Sequence, residues 1–304
     1  MDIKKIKTKI KAYIPKTIKT YFVSRNSKFL QGISKQQRGL EIGPSHSPIA
    51  PKREGYCVET VDHLSAEELK EHYKNDGVNL KAIEPVDYIW KGGSYYQLIQ
   101  KEGYYDYIIA SHMIEHSTDF CGFLKDCSKM LTKNGILRLA VPDKRYCFDH
   151  YRTTTGLAEI VNNVYKPANL QLVGDVAEYY MNVVMRKGSI SWDKPFLPLF
   201  RYTARRRDKD FSFVHDCHTA LAGMRRAEKG EYIDIHHYVF TPASFELLIY
   251  DLRLLEMIDL KIVHMWDTCG NEFIVTLQKT EEKLEWNPQY RQQLLRMRDK
   301  QNRV

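Results

Sequence analysis

The chain has no CxxC pair, no apolar run of about 18 residues and no uninterrupted apolar stretch at its N-terminus. The six cysteines (Cys57, Cys121, Cys127, Cys147, Cys217 and Cys269) lie scattered through 304 residues. That argues against a disulfide or zinc framework and for reduced core thiols in a cytoplasmic protein. Without a long apolar run, no transmembrane helix is expected, and the polar N-terminus does not read as a secretory signal. Glycine is scarce at one telling place. Gly43 follows the first apolar segment, but Pro44, Ser45 and Ser47 stand where a dinucleotide fingerprint would set its other glycines. The backbone nest that cradles a pyrophosphate is therefore missing. Little interleaving of aromatic and basic residues occurs, so nucleic acid is not an expected partner, although a net charge of +8 raises the question.

The positive charge is uneven. Residues 1–20 hold Lys4, Lys5, Lys7, Lys9, Lys11, Lys16 and Lys19 against Asp2 alone. Ile3, Ile6, Ile10, Ile14 and Ile18 recur at steps of three and four through the same stretch, one apolar stripe on a basic helix that Pro15 kinks or divides. Such a helix can lie on an anionic membrane surface through residues 1–22, or pack on the globular body or another subunit. A second basic cluster is Arg201, Arg205, Arg206, Arg207 and Lys209; it suits an acidic or phosphorylated acceptor, or is simply a solvated loop.

Short apolar segments alternate with helical periodicity from Gln36 on. Expected strands are Arg38–Gly43, Tyr56–Asp62, Val86–Trp90, Tyr105–Ala110 and Ile136–Val141, the last stopped by Pro142. Between them come a proline-rich loop at 44–55, a helix at Ala66–Tyr73 capped by Ser65, a short helix at Tyr95–Lys101, and a helix at Thr118–Leu131 closed by Asn134-Gly135. Repeated strand–helix units predict a doubly wound α/β sheet. The alternation breaks at 151–235, which reads as a mainly helical insertion with helices at Leu157–Tyr165, Val173–Met185 and Cys217–Arg226. It resumes with a helix at Pro242–Leu254 and strands at Leu260–Trp266 and Asn271–Leu277 joined by a tight turn at Gly270, an antiparallel hairpin. Residues 280–304 read as an exposed charged helix. The expected organisation is a basic segment at 1–35, a main domain at 36–150 and 236–280, an insertion at 151–235 acting as an acceptor lid, and a helical tail at 281–304.

The Arg38–Asp62 stretch carries the first chemical signal. Strand, tight turn and a second strand tipped by an acid make a site for a nucleoside without phosphates. Gly43 lets the backbone approach a ligand, and Asp62 is placed to accept hydrogen bonds from a ribose diol.

Four motifs then resemble class I S-adenosylmethionine-dependent methyltransferases: Leu40-Glu41-Ile42-Gly43, Asp62, the run Tyr105-Asp106-Tyr107-Ile108-Ile109-Ala110-Ser111-His112-Met113-Ile114-Glu115-His116, and Leu131–Leu137 leading to Val141-Pro142. The resemblance covers about 36–150 and 241–279 and implies a Rossmann-like sheet, mostly parallel, ending in the antiparallel hairpin. More narrowly, Val141–Arg152 and His237-Tyr238-Val239-Phe240-Thr241-Pro242 look like bacterial methyltransferases associated with cell-surface glycan synthesis. Two departures stand out: Ser45 replaces the second glycine of the turn, and Lys91-Gly92 replaces the acid often found after the third strand.

The resemblance implies S-adenosyl-L-methionine as cofactor and a sugar or glycan precursor as acceptor. Cofactor-binding expectations are Glu41, Gly43, Pro44, Asp62, Ser111 and His112. For the base, His116 titrates near neutrality and follows Glu115 at the mouth of the site, while Asp143, Tyr146, Asp149 and His150 follow the fifth strand; His116, Asp143 and His150 are the catalytic candidates. His215-Asp216-Cys217-His218 and His236-His237 make a histidine-rich constellation whose spacing is not diagnostic of a metal, and no metal is expected. A non-catalytic nucleoside-binding scaffold and a nucleic-acid methyltransferase remain as alternatives.

Overall fold

The centre of the molecule is an apolar strand, β4 (Tyr105–Ser111), buried on both faces as a parallel strand must be. The computed structural model describes residues 23–166, 172–194 and 208–303. Parallel to β4 on one side run β1 (Gly39–Ile42), β2 (Val58–Asp62) and β3 (Tyr88–Ile89); on the other lies β5 (Leu131–Pro142). The hairpin of β8 (Leu260–Cys269) and β9 (Glu272–Lys279) adds antiparallel to β5, giving the order β3-β2-β1-β4-β5-β9-β8. This is the expected doubly wound, Rossmann-like sheet with a closing antiparallel hairpin.

The two faces of the sheet are covered unequally. Leu40, Ile42, Ile108, Leu137, Leu139, Phe273 and Val275 pack against α3 (Tyr95–Ile99), α4 (Phe120–Met130), α5 (Leu157–Tyr165) and α8 (Pro242–Leu254). Helix α2 (Ala66–His72), between β2 and β3, makes a small core of its own with Ile83. On the opposite face Tyr107, Ile109 and Ala140 meet Phe29 of α1 (Arg25–Phe29), Leu30 and Ile33 just after it, Ile49 and Ala50 of the loop after β1, Tyr56 and Trp266. No helix follows β1 before β2; Pro44, Pro48 and Pro51 leave a loop with one 3-10 turn at Lys52–Glu54, as expected.

Three local expectations are corrected. Asn134-Gly135 does not close α4, which ends at Met130; Gly135 lies inside β5, where a Cβ would stand 2.9 Å from the Tyr105 carbonyl oxygen. The helix expected at Val173–Met185 stops at Asn182, and its last residues enter a strand. Between α6 (Val173–Asn182) and α7 (Cys217–Glu228) the insertion forms a two-stranded ribbon of β6 (Val184–Arg186) and β7 (Phe211–Phe213). Third, α9 (Pro288–Asn302) is not merely exposed: it packs on α8 with Leu294 buried and Arg291 ion-paired to buried Asp251 at 2.8 Å. The basic helix expected in residues 1–22 and most of the Arg201–Lys209 cluster lie outside the described residues.

A buried arginine ties α1 to the sheet. Arg138 on β5 donates to the carbonyls of Lys28 (3.1 Å) and Gln31 (3.0 Å), to that of Phe29, and to Thr276 Oγ1 (3.0 Å). A cation at the C-terminal carbonyls satisfies acceptors that the helix cannot pair itself. Replacing Arg138 with leucine leaves those carbonyls unpaired under the protein, so urea unfolding should show a loss of about 1–3 kcal/mol; a loss below about 0.5 kcal/mol would show that the clamp is idle.

Candidate functional site

Strand order reverses between β1 and β4, where one crossover leads away to β2 and the next returns to β4. Open α/β sheets leave a crevice at that point, beyond the carboxyl ends of the strands. Gly43 leaves β1 with φ +69° and nothing within 4 Å of where its Cβ would be. Ser45 follows at φ +48°, and its amide donates to Asp62 Oδ2 at 2.9 Å. The other Asp62 oxygen takes the His63 amide (2.8 Å) and bonds the His63 ring (2.7 Å). Beyond β3, Gly92 and Gly93 both have positive φ and open space at the Cβ position, next to Trp90, which stacks on Tyr95 at 5.0 Å.

Glu41 points away from the crevice. Its buried carboxylate accepts from the amides of Ile49 (2.7 Å) and Ala50 (3.0 Å), and so shapes the loop that carries Gly43 and Pro44. Burial outweighs those two hydrogen bonds and raises its carboxyl to about 7.

The reading that His112 lines the reacting end meets a denser network than the sequence suggests. His112 leaves β4 at φ +51°, a strained conformation of the kind functional sites hold. Its Nε2 bonds Glu272 Oε2 at 2.7 Å, and its Nδ1 lies 3.4 Å from Glu115 Oε1. Burial opposes its charge, but the two carboxylates win and lift the imidazole to about 9. Glu272 also binds Arg25 from α1 at 2.7 Å, and that guanidinium reaches the Ser111 hydroxyl. Desolvation alone would raise the Glu272 carboxyl; its hydrogen bonds to His112 and Arg25 bring it down to about 2. Beyond His112 a groove of about 740 Å³ opens between α1 and the β8–β9 hairpin, lined by Arg25, Lys28, Trp266, Asp267 and Glu272.

After β4 a single 3-10 turn, Ile114–His116, carries the next groups. Its Glu115 carbonyl accepts the amides of His237 (2.7 Å) and Tyr238 (3.0 Å), which docks the returning end of the insertion on the strand tip. The docking brings His236 to Glu115 and His116. His236 Nε2 is 4.0 Å from Glu115 Oε1, and its ring meets that of His116 edge-on at 4.8 Å. His236 Nδ1 bonds Asp149 Oδ2 at 2.6 Å, and Asp149 is held by Arg152 at 2.9 Å. Burial works against the Asp149 charge, but His236 and Arg152 prevail and put its carboxyl at about 2. His116 Nδ1 lies 2.9 Å from Asp234 Oδ1. Asp234 thus accompanies His236 to the cluster, both carried by the segment that the Glu115 carbonyl docks.

Two catalytic candidates stand elsewhere. Asp143 is fully buried, with its oxygens taken by Arg145 (2.8 Å and 2.5 Å) and the Thr268 hydroxyl (2.6 Å). A carboxylate so committed holds the hairpin to the strand end and cannot face an acceptor. His150 is buried in an aromatic group, stacked on Phe211 at 4.7 Å and near Trp192. His218 is exposed on α7, so the expected histidine constellation separates and His236 alone joins the cluster. Missed in the sequence were Asp234, Glu272 and Arg25; each is far along the chain from its partner, and no local spacing marks it.

No family model matches the chain, and no curated protein matches it. Solved structures that align include an S-adenosylmethionine dependent methyltransferase from Mesorhizobium loti (10% identity, 84% of this chain, 95% of that chain, TM-score 0.42). Another is a SAM-dependent methyltransferase from Methanosarcina mazei (13% identity, 88% of this chain, 99% of that chain, TM-score 0.39). A third is described as a Zn-dependent alcohol dehydrogenase from Rhodobacter sphaeroides (14% identity, 84% and 89% covered, TM-score 0.42). At such values the fold rests on the strand order itself.

The Glu41 carboxyl makes stability pH-dependent. Its folded value of about 7 exceeds the ordinary 4.5, so the folded state keeps a proton that the unfolded chain releases. Stability should therefore fall as pH rises from about 5 to about 8, on the order of 3 kcal/mol. Urea unfolding of the wild type should show that decline relative to Glu41→Gln; parallel pH profiles would mean that Glu41 stays ionised throughout.

Proposed function

We propose that the protein is a methyltransferase that uses S-adenosyl-L-methionine to methylate a hydroxyl, with a sugar or glycan precursor as the acceptor class. The observation that carries the reading is the strand reversal at which Gly43 leaves open backbone beside the Asp62 carboxylate. A nucleoside fits there without needing a phosphate nest. The ribose diol would replace the Ser45 amide and the His63 ring as partners of Asp62. The imidazolium of His112, together with Ser111, suits the charged methionine end of the cofactor. Glu41 and Pro44 contribute through the shape of the loop they set.

Methyl transfer from a sulfonium needs an aligned acceptor more than an activated leaving group. The acceptor oxygen gives its proton to an imidazole of the Glu115, His116 and His236 cluster. Its lone pair then attacks the methyl carbon, a C–O bond forms, the C–S bond breaks, and sulfur keeps the electron pair. The choice of a sugar acceptor is supported by the Val141–Arg152 resemblance and by the aromatic faces that the insertion gathers near the cluster. Phe148 packs between His236 and Tyr179, with ring centroids 4.5 Å and 5.9 Å away.

Calorimetry with S-adenosylmethionine and S-adenosylhomocysteine tests the cofactor. Both should bind to the wild type, and Asp62→Ala should weaken binding by about 1–3 kcal/mol through the lost ribose hydrogen bonds. Binding of neither ligand to the wild type would remove the enzyme reading; unchanged affinity in the variant would mean that the ribose lies elsewhere.

A further inference from the structure

We propose that Glu115, His116 and His236 form a site for one divalent cation of the zinc class, set where the acceptor oxygen would be. What the cation does there rests on the methyltransferase reading; that it binds does not.

The first ground is an unmet need. The Glu115 side chain is wholly buried, and among the described residues neither of its oxygens accepts a hydrogen bond. A buried carboxylate is costly unless charge and hydrogen bonds both compensate it. The His112 imidazolium supplies charge, with Nδ1 3.4 Å from Glu115, but it stands outside hydrogen-bond geometry and its close bond goes to Glu272, so both Glu115 oxygens still lack a donor.

The second ground is the donor set. One ligand atom from each of Glu115, His116 and His236 lies within 4.8 Å of the others. Ligands on an ion with bonds of about 2.1 Å sit about 3.4 Å apart in a tetrahedron. The set is thus open and closes by side-chain rotation, for which half-exposed His116 has room. Two imidazoles and one carboxylate favour borderline ions over magnesium or calcium.

The third ground is the support behind the ligands. Asp149 holds His236 Nδ1 at 2.6 Å and is itself fixed by Arg152. That leaves Nε2, the nitrogen nearer Glu115, with its lone pair outward. A carboxylate behind a histidine is how metal sites fix the tautomer and orientation of a ligand. Asp234 Oδ1 lies 2.9 Å from His116 Nδ1, an ion-pair distance but outside hydrogen-bond geometry, so His116 is held less firmly than His236.

Three protein ligands leave a coordination position open. An acceptor hydroxyl bound there becomes more acidic. With the imidazoles on the cation, the proton goes to solvent beside exposed Asp234 instead of to a histidine, and the oxygen attacks the methyl carbon as the C–S bond breaks.

The test uses the full chain without any methyl donor. After EDTA treatment and dialysis, titration with zinc chloride should give one equivalent bound with a Kd below about 1 µM. Glu115→Gln and His116→Ala should weaken that binding at least about 10-fold, whereas His218→Ala, on the exposed face of α7, should leave it unchanged. Circular dichroism checks that the variants fold. Should they not, cobalt substitution of the wild type replaces them: nitrogen–oxygen ligation without a thiolate charge-transfer band is expected. No stoichiometric binding, equal affinity in folded variants, or a thiolate band would each overturn the proposal. Because no cofactor is present, failure here leaves the S-adenosylmethionine calorimetry standing.

Discussion

Carboxylates buried at the carboxyl end of the sheet are the constraint around which this molecule is built. Glu41, Asp62, Glu115, Asp143, Asp149 and Glu272 all lie in or beside strand ends with almost no exposure. Each such charge demands donors or a cation. Glu41 takes two amides and thereby folds the loop after β1. Asp143 takes Arg145 and Thr268, locking the hairpin to the strand end. Asp149 takes His236 and Arg152, and Glu272 takes His112 and Arg25. The loops and the insertion are held in place largely by these debts of charge. Only Asp62 and Glu115 are left in states that a ligand would improve: Asp62 on local partners that a ribose can replace, Glu115 on none within hydrogen-bond geometry.

The same constraint explains how distant segments meet. Arg138 secures α1 on the thinly covered face, and α1 then delivers Arg25 to Glu272. The Glu115 carbonyl captures the amides of His237 and Tyr238, and this delivers His236 and Asp234. The returning end of the insertion is thus fixed on the tip of β4. Phe148, Tyr179 and the His150–Phe211 stack form an aromatic group next to His236.

Periodicity carried most of the sheet. Helices at Leu157–Tyr165 and Pro242–Leu254 have the bounds that their apolar spacing and caps require, and the hairpin follows from Gly270. Where close approach of backbones decided the outcome, local signals misled. Gly135 reads as a helix stop, yet it lies in a strand because a neighbour's carbonyl leaves no room for a side chain. The β6–β7 ribbon has only three residues in each strand, too few for alternation to register. The open turn at Gly43 and the acid at the tip of β2 follow from a strand–turn–strand pattern that is local. Asp143 reads as an open carboxylate after the strand, but Arg145, two residues on, and Thr268, 125 positions away, close on it once the chain is folded. Glu115 is visible as a residue but not as a buried carboxylate lacking a hydrogen-bond donor, which only three-dimensional burial reveals.

The central claim is that the crevice between β1 and β4, and not the groove between α1 and the hairpin, receives a nucleoside cofactor. A crystal structure with S-adenosylhomocysteine measures this directly. The account predicts ribose oxygens within about 3 Å of the Asp62 carboxylate, with the sulfur on the Ser111–His112 side of Gly43. Density for the ligand beside Lys28 and Trp266, with the Asp62–His63 pair undisturbed, would contradict it.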